Sequence, residues 1–233
     1  MTGGDETAIR SVPSVHPLST ERVLREFRQC TPTARWHVRA RTWLLPLERL
    51  ARSIPPHGRL LDMGCGHGLW INYLKLRYPE LDLVGVDPDE RKIAEARRTG
   101  AAQKGARFTA SLEPWPSGCF DRVTVFDVLY LLPERQRRDL VRRLADALAP
   151  GGTLLVRETD RDAGWSSMLL TVEETFMTRV LGVTHGSAFG FLSAQELAEL
   201  LTTAGLKVVR RDRRRERHCP NLYCVAQKCR DTS

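Results

Sequence analysis

Arg59-Leu60-Leu61-Asp62-Met63-Gly64-Cys65-Gly66-His67-Gly68-Leu69-Trp70 is the stretch that decides the fold. Arg59 to Met63 reads as a short buried strand. Three glycines in five positions follow, and Leu69, Trp70, Tyr73, Leu74 and Leu76 then recur at helical spacing. Strand, glycine turn and helix in that order open a βαβ unit. Leu81 to Val86 supplies its second strand, closing on Asp87-Pro88, and Asp89 to Arg98 follows as a charged helix with Ile93, Ala94 and Ala96 inward.

Downstream, Arg107 to Ala110 and Arg122 to Phe126 read as third and fourth strands. Glu134 to Leu148 is an amphipathic helix with Leu140, Val141, Leu144 and Leu148 in one stripe. Pro150-Gly151-Gly152 turns the chain into a fifth strand, Thr153 to Val156. Strands alternating with helices imply a parallel sheet covered on both faces, so the expected fold is one doubly wound α/β domain. A helix from Ser193 to Ala204, stopped by Gly205, and two strands, Leu206 to Arg210 and Leu222 to Ala226, complete it. These last strands are close enough for an antiparallel hairpin.

Upstream, residues 1–18 mix Gly, Ser, Pro and charge without periodicity and read as a flexible arm. Ser19-Thr20-Glu21 looks like a helix start, with Val23, Leu24 and Phe27 on one face. A second stripe through Trp43, Leu44, Leu47, Leu50 and Ile54 runs until Pro55-Pro56. The domain is therefore expected over 19–233, with front helices over 19–56. An apolar insertion at 159–192, carrying Trp165, Met168, Phe176, Met177 and Phe191, is a candidate lid over the acceptor.

Composition narrows the class. In 233 residues, 42% are hydrophobic and 27% charged, near globular averages, which excludes collagen-like and disordered readings. No apolar run reaches the roughly 18 residues that span a bilayer, and the polar start has no signal-peptide core, so a cytoplasmic location is expected. The net charge of +8 permits an anionic partner, yet only five of the 36 basic residues are lysine, a bias that genome composition can produce. The six cysteines form no CxxC pair and fit free thiols, and Cys219, Cys224 and Cys229 lack a fourth ligand at zinc spacing, so no metal is expected.

The ligand follows from the glycine turn. Glycines let a ligand approach the backbone, and the helix N-terminus behind them supplies donors. Asp87, nineteen positions after Gly68 at the end of the neighbouring strand, is placed to accept from ribose hydroxyls. The turn is GxGxG preceded by Asp62, unlike the GxGxxG of nicotinamide and flavin sites, and Asp62 would repel a pyrophosphate. A ligand with an ammonium and a sulfonium has the opposite preference, which suits S-adenosylmethionine.

At these residues the chain resembles the class I S-adenosylmethionine-dependent methyltransferases, with their Rossmann-like fold, from about Arg59 to Lys228. The resemblance extends to Val84-Gly85-Val86-Asp87, to Pro114-Trp115-Pro116-Ser117-Gly118-Cys119-Phe120-Asp121 and to Leu148-Ala149-Pro150-Gly151-Gly152-Thr153-Leu154-Leu155-Val156. It implies that Gly64, Cys65, Gly66 and Gly68 line the methionine part and ribose, that Asp62 orients the amino group, and that Asp87 with Pro88 holds the ribose. Ala110, Ser111 and Leu112 would line the adenine, although many relatives have an Asp there and this chain offers Thr109 or Ser111. Asp127, with Val128 beyond it, matches a position whose backbone faces the methionine moiety.

Methyl transfer needs alignment and, for a hydroxyl, removal of a proton. His185 and Tyr130 are the candidate catalytic residues; Glu158 and Trp165 also meet the requirement of position. His67 is expected to point to solvent. The absence of an Asp/Asn-Pro-Pro-Tyr sequence argues against methylation of base or glutamine amines, and the arginines from 210 to 217 read as a solvated sheet edge. A small, apolar acceptor methylated at oxygen in a biosynthetic pathway is expected, with RNA methylation or a cofactor-binding module without catalysis as rivals. A homodimer is compatible with the sequence.

Overall fold

The computed structural model describes residues 18–160, 190–216 and 219–230. Residues 1–17 of the expected arm and 161–189 of the expected insertion, with His185 and Trp165, lie outside the described residues.

Three front helices precede the sheet: α1 Thr20–Arg25, α2 Pro32–Leu44 and α3 Leu47–Ala51. Thr31 caps α2 by accepting from Ala34 N–H at 3.4 Å, and Pro32 occupies the first turn, where no N–H is missed. The apolar stripe from Trp43 to Ile54 does not form one helix. Pro46 holds Leu45 extended (φ −98°, ψ 121°), and α3 starts afresh behind it.

The central unit runs β1 Arg59–Met63, α4 Leu69–Arg77, β2 Asp82–Val86, α5 Glu90–Ala96, α6 Gly100–Gln103 and β3 Arg107–Thr109. Then come β4 Phe120–Phe126, a 3-10 turn Leu129–Leu131, α7 Glu134–Ala147 and β5 Leu148–Thr159. The described chain closes with α8 Ala194–Thr203, β6 Leu206–Glu216 and β7 Cys219–Lys228. The seven strands lie in the order β3-β2-β1-β4-β5-β7-β6, all parallel except β7, which is antiparallel to both β5 and β6. The order reverses between β1 and β4, so the crevice outside their carboxyl ends is the natural ligand position.

The sheet separates two cores. Front helices, α4 and α5 bury Phe27, Val38, Leu50, Ile54, Trp70 and Leu74 on one face. The other face, under α7 and α8, buries Val123, Leu144, Leu154, Leu197 and Leu201. The fifth and sixth strands are longer than their apolar runs. β5 begins at Leu148, where a register shift between Phe120 and Arg122 absorbs the Pro-Gly-Gly bend, and the arginines of β6 stay paired to β7 while standing at the open edge.

Candidate active site

Met63 pairs with Val86 in adjacent parallel strands, so the glycine turn and Asp87 leave the sheet side by side. The amides of Gly64 and Cys65 both donate to Val86 O, at 2.7 and 2.9 Å, and Gly68 N–H donates back to Cys65 O at 2.9 Å. This folding requires positive φ at Gly64 (81°) and Gly66 (55°). A Cβ on Gly64 would stand 2.3 Å from Val128 Cγ2, whereas a Cβ on Gly66 would meet no protein atom within 4 Å. The turn is thus pressed against β4's exit at Gly64 and open at its middle.

Two carboxylates flank that opening. Asp87, 2% exposed, accepts from Gly66 N–H through Oδ2 (2.9 Å) and from Asp89 N–H through Oδ1 (3.0 Å). It fixes the turn that the ligand would touch, and α5 is capped by the neighbouring Asp89, which accepts from Arg91 and Lys92 N–H. Burial raises the pKa of Asp87, opposed first by the Lys92 ammonium.

Asp62, 3% exposed, receives the Thr124 hydroxyl on Oδ1 at 2.8 Å. Burial pushes its pKa up to about 7; the Thr124 bond works the other way, and the charge of Asp87 adds to the rise. Two costly buried carboxylates beside an open cradle favour a cationic ligand, since a nearby positive charge restores the ionised form.

The exit of β4 forms the far wall. Asp127 has φ 58°, the one described residue other than glycine with positive φ. Its carboxylate is ion-paired with Arg157 of β5 and with Arg41 of α2, the latter at 2.7 Å, so the side chain faces these cations while its backbone forms the wall. Val128 packs its Cγ2 against Gly64.

The remaining candidates are placed as follows. Cys65 is buried with its sulfur under the turn near Gly85, so only its backbone borders the cradle. Ala110, Ser111 and Leu112 follow the end of β3, beside Asp87, whose N–H donates to Thr109 O at 3.3 Å. Ser111 and Leu112 are exposed. Tyr130 is 2% exposed and stacked on Phe191 at 5.0 Å, in a groove between the 3-10 turn, α7 and α8. Glu158 is fully buried and accepts from the backbone amide of Leu129 at 2.8 Å.

His67 departs from its expected solvent orientation. It is half-buried and stacks on His37 of α2, with ring centroids 5.6 Å apart and planes 14° apart. Burial, then the charges of Lys92 and His37, lower its pKa to about 4, so it is neutral at pH 7. Together with Arg41, this stack ties α2 to both sides of the crevice. Arg41 and Arg157 are the residues that sequence reasoning missed. Nothing in the local pattern distinguishes them among 31 arginines.

Comparison with known proteins agrees with this geometry. A family model described as a methyltransferase domain matches residues 35–211. The trans-aconitate 2-methyltransferase of Methylobacterium nodulans is 37% identical over 167 residues, covering 70% of this chain and 62% of that protein. The ubiquinone biosynthesis O-methyltransferase of Xanthomonas campestris is 27% identical over 161 residues, covering 68% and 66%. This chain spans less than two thirds of the length of the trans-aconitate relatives. Among solved structures, human N-acetylserotonin methyltransferase in complex with SAM superposes with TM-score 0.60 at 16% identity, covering 91% of this chain and 57% of that one. The [4+2]-cyclase SpnF superposes equally well, TM-score 0.60 at 17% identity, covering 79% and 80%. The chain belongs to the methyltransferase-domain family.

Proposed function

We propose that this protein transfers the methyl group of S-adenosylmethionine to an oxygen of a small molecule. The observation that carries the reading is the cradle at Gly66, where an added Cβ would meet nothing within 4 Å, flanked by the buried carboxylates Asp62 and Asp87. When bound, S-adenosylmethionine supplies an electrophilic methyl on a cationic sulfur.

The chain's own residues then have distinct tasks. Asp87 accepts from the ribose hydroxyls while holding Gly66 N–H, and Pro88 borders it. Asp62 receives the ammonium, and its ionisation is favoured by that charge. Ala110, Ser111 and Leu112 border the adenine. Gly64, Gly68 and the backbone of Cys65, Asp127 and Val128 shape the space in between. Displacement at a methyl group is in line, so fixing these groups relative to the acceptor is the main catalytic task.

Two sequence relatives whose names give trans-aconitate and an O-methyl transfer support a small acceptor and an oxygen. A carboxylate, with pKa about 4, arrives ionised at neutral pH and needs no base, whereas a phenol, with pKa about 10, does. Among the described candidates, Tyr130 and Glu158 are buried in packing and backbone hydrogen bonds, so the base role for a hydroxyl acceptor is assigned to His185. A biosynthetic role in the cytoplasm completes the reading. Among the described residues, no helix is long and apolar enough to cross a membrane.

The test is a screen of small carboxylates and phenols with S-adenosylmethionine, following S-adenosylhomocysteine release and the methylated product by mass spectrometry. Acceptor-dependent product is expected. Methylation of RNA alone, with binding that falls steeply as salt rises, would establish the rival reading instead. A protein that binds the cofactor but turns over none of these acceptors would be a binding module.

A further inference from the structure

We propose that two consecutive β5 residues, Arg157 and Glu158, are positioning residues that grip the β4 exit from opposite faces of the sheet and thereby set the cofactor crevice. The inference rests on the reading above, in which the space between the glycine turn and the β4 exit holds S-adenosylmethionine.

Neighbouring residues of a strand point to opposite faces. Leu155 and Arg157 face the front helices, and Val156 and Glu158 face the core under α7 and α8. Arg157 engages Asp127 twice. Its carbonyl accepts from Asp127 N–H at 2.8 Å, and its guanidinium Nη1 donates to both carboxylate oxygens. Its Nε donates to the Tyr223 hydroxyl at 3.1 Å, and Arg49 of α3 covers that ring at 4.5 Å. The guanidinium is therefore fixed before it meets Asp127.

Glu158 takes the other face. It is 0% exposed, and its carboxylate accepts from Leu129 N–H at 2.8 Å, Val128 N–H at 3.1 Å and Tyr130 N–H at 3.4 Å. These are the donors that the start of a 3-10 turn leaves unpaired. Between the two grips stands Asp127 at φ 58°, a left-handed conformation that Asp tolerates better than most L-residues and that both grips fix. The consequence is geometric. Val128, the next residue, stands with Cγ2 only 2.3 Å from where a Gly64 Cβ would be. If the grip loosens, Val128 relaxes and the wall moves relative to the glycine turn.

The experiment titrates S-adenosylhomocysteine calorimetrically into full-length wild type, Arg157→Met, Arg157→Lys and Glu158→Gln, with thermal midpoints measured alongside. Leu201→Ala, a fully buried change in α8 outside the exit, serves as the stability control. Arg157→Met is expected to weaken binding about tenfold, the worth of one charged hydrogen bond, and Glu158→Gln, which keeps one acceptor oxygen for Val128 and Leu129 N–H but turns an amide N–H toward Tyr130 N–H, about threefold. Arg157→Lys, which keeps a cation facing Asp127, should recover to within about threefold of wild type. Leu201→Ala should lower the midpoint without changing affinity.

Wild-type affinity in folded Arg157→Met and Glu158→Gln would overturn the grip, as would an equal affinity loss in Leu201→Ala at the same midpoint. Should Arg157→Met not fold, Glu158→Gln and Arg157→Lys decide by the same criteria. A wild type that fails to bind would overturn the crevice assignment itself, an outcome separate from variants that match a binding wild type.

Discussion

Replacing Gly66 by Ala separates the fold from the crevice. The new methyl meets no protein atom within 4 Å, so the only cost to the folded chain is placing an L-residue at φ 55°. That is about 1 kcal/mol, which for a chain of this size lowers the melting midpoint by roughly 2–4 °C. The same methyl occupies the space assigned to the cofactor, where overpacking of about 1.4–3 kcal/mol corresponds to a roughly 10- to 150-fold loss of affinity. Gly64→Ala should behave in the opposite way. Its methyl lies 2.3 Å from Val128 Cγ2, so about 1–3 kcal/mol of overpacking adds to the backbone cost, and the midpoint should fall at least twice as far. The assay is differential scanning fluorimetry of both variants, followed by titration with S-adenosylhomocysteine. A Gly66→Ala protein that binds as wild type does would refute the placement of the ligand. Equal midpoint losses in the two variants would refute the reasoning from contacts.

Four further outcomes are expected. Asp87→Ala should remain folded and weaken cofactor binding by about tenfold, and unchanged binding would remove the ribose assignment. Asp62 has its pKa raised to about 7, so the folded state holds a proton between about pH 4 and 7 that the unfolded chain has lost. This group's contribution to stability therefore falls as pH rises across that window, while cofactor affinity rises because the ammonium needs the ionised form. Asp62→Asn should flatten the affinity profile between pH 6 and 8, and an unchanged slope would assign it to another group. Arg41→Ala should cost about 1 kcal/mol, since its side chain is 38% exposed, and should speed cofactor release measured by stopped flow through loss of the α2 tie. His185→Ala should lower turnover on a phenolic acceptor far more than cofactor affinity, and unchanged turnover would remove it as the base.

The parts of the site carried by local rules are legible in the amino-acid sequence. Glycine requirements, a strand-end acid and the alternation of apolar runs locate the turn, Asp87 and the doubly wound sheet, because these features depend on backbone conformation and period. Two acids lie within three positions at the start of α5, and local pattern does not tell which of them caps it: Asp89 captures the α5 amides, and Asp87 turns to Gly66. The break between α2 and α3 is readable from Pro46, since the residue before proline leaves the helical region, but the apolar stripe masks it. Arg41, Arg157 and the amide-bound Glu158 are not legible. Their roles arise from residues 28 to 86 positions away, and nothing local distinguishes an arginine that meets Asp127 from one at the β6 edge. The His67 stack depends in the same way on α2 folding over the turn.

Occupancy of the crevice is best decided by a calorimetric titration of the full-length protein with S-adenosylmethionine and S-adenosylhomocysteine, using a nicotinamide dinucleotide as control. The paired carboxylates and the open cradle at Gly66 predict binding of both sulfur ligands and none of the dinucleotide, whose pyrophosphate Asp62 repels. Binding of the dinucleotide, or silence toward the sulfur ligands, would contradict the assignment of the crevice.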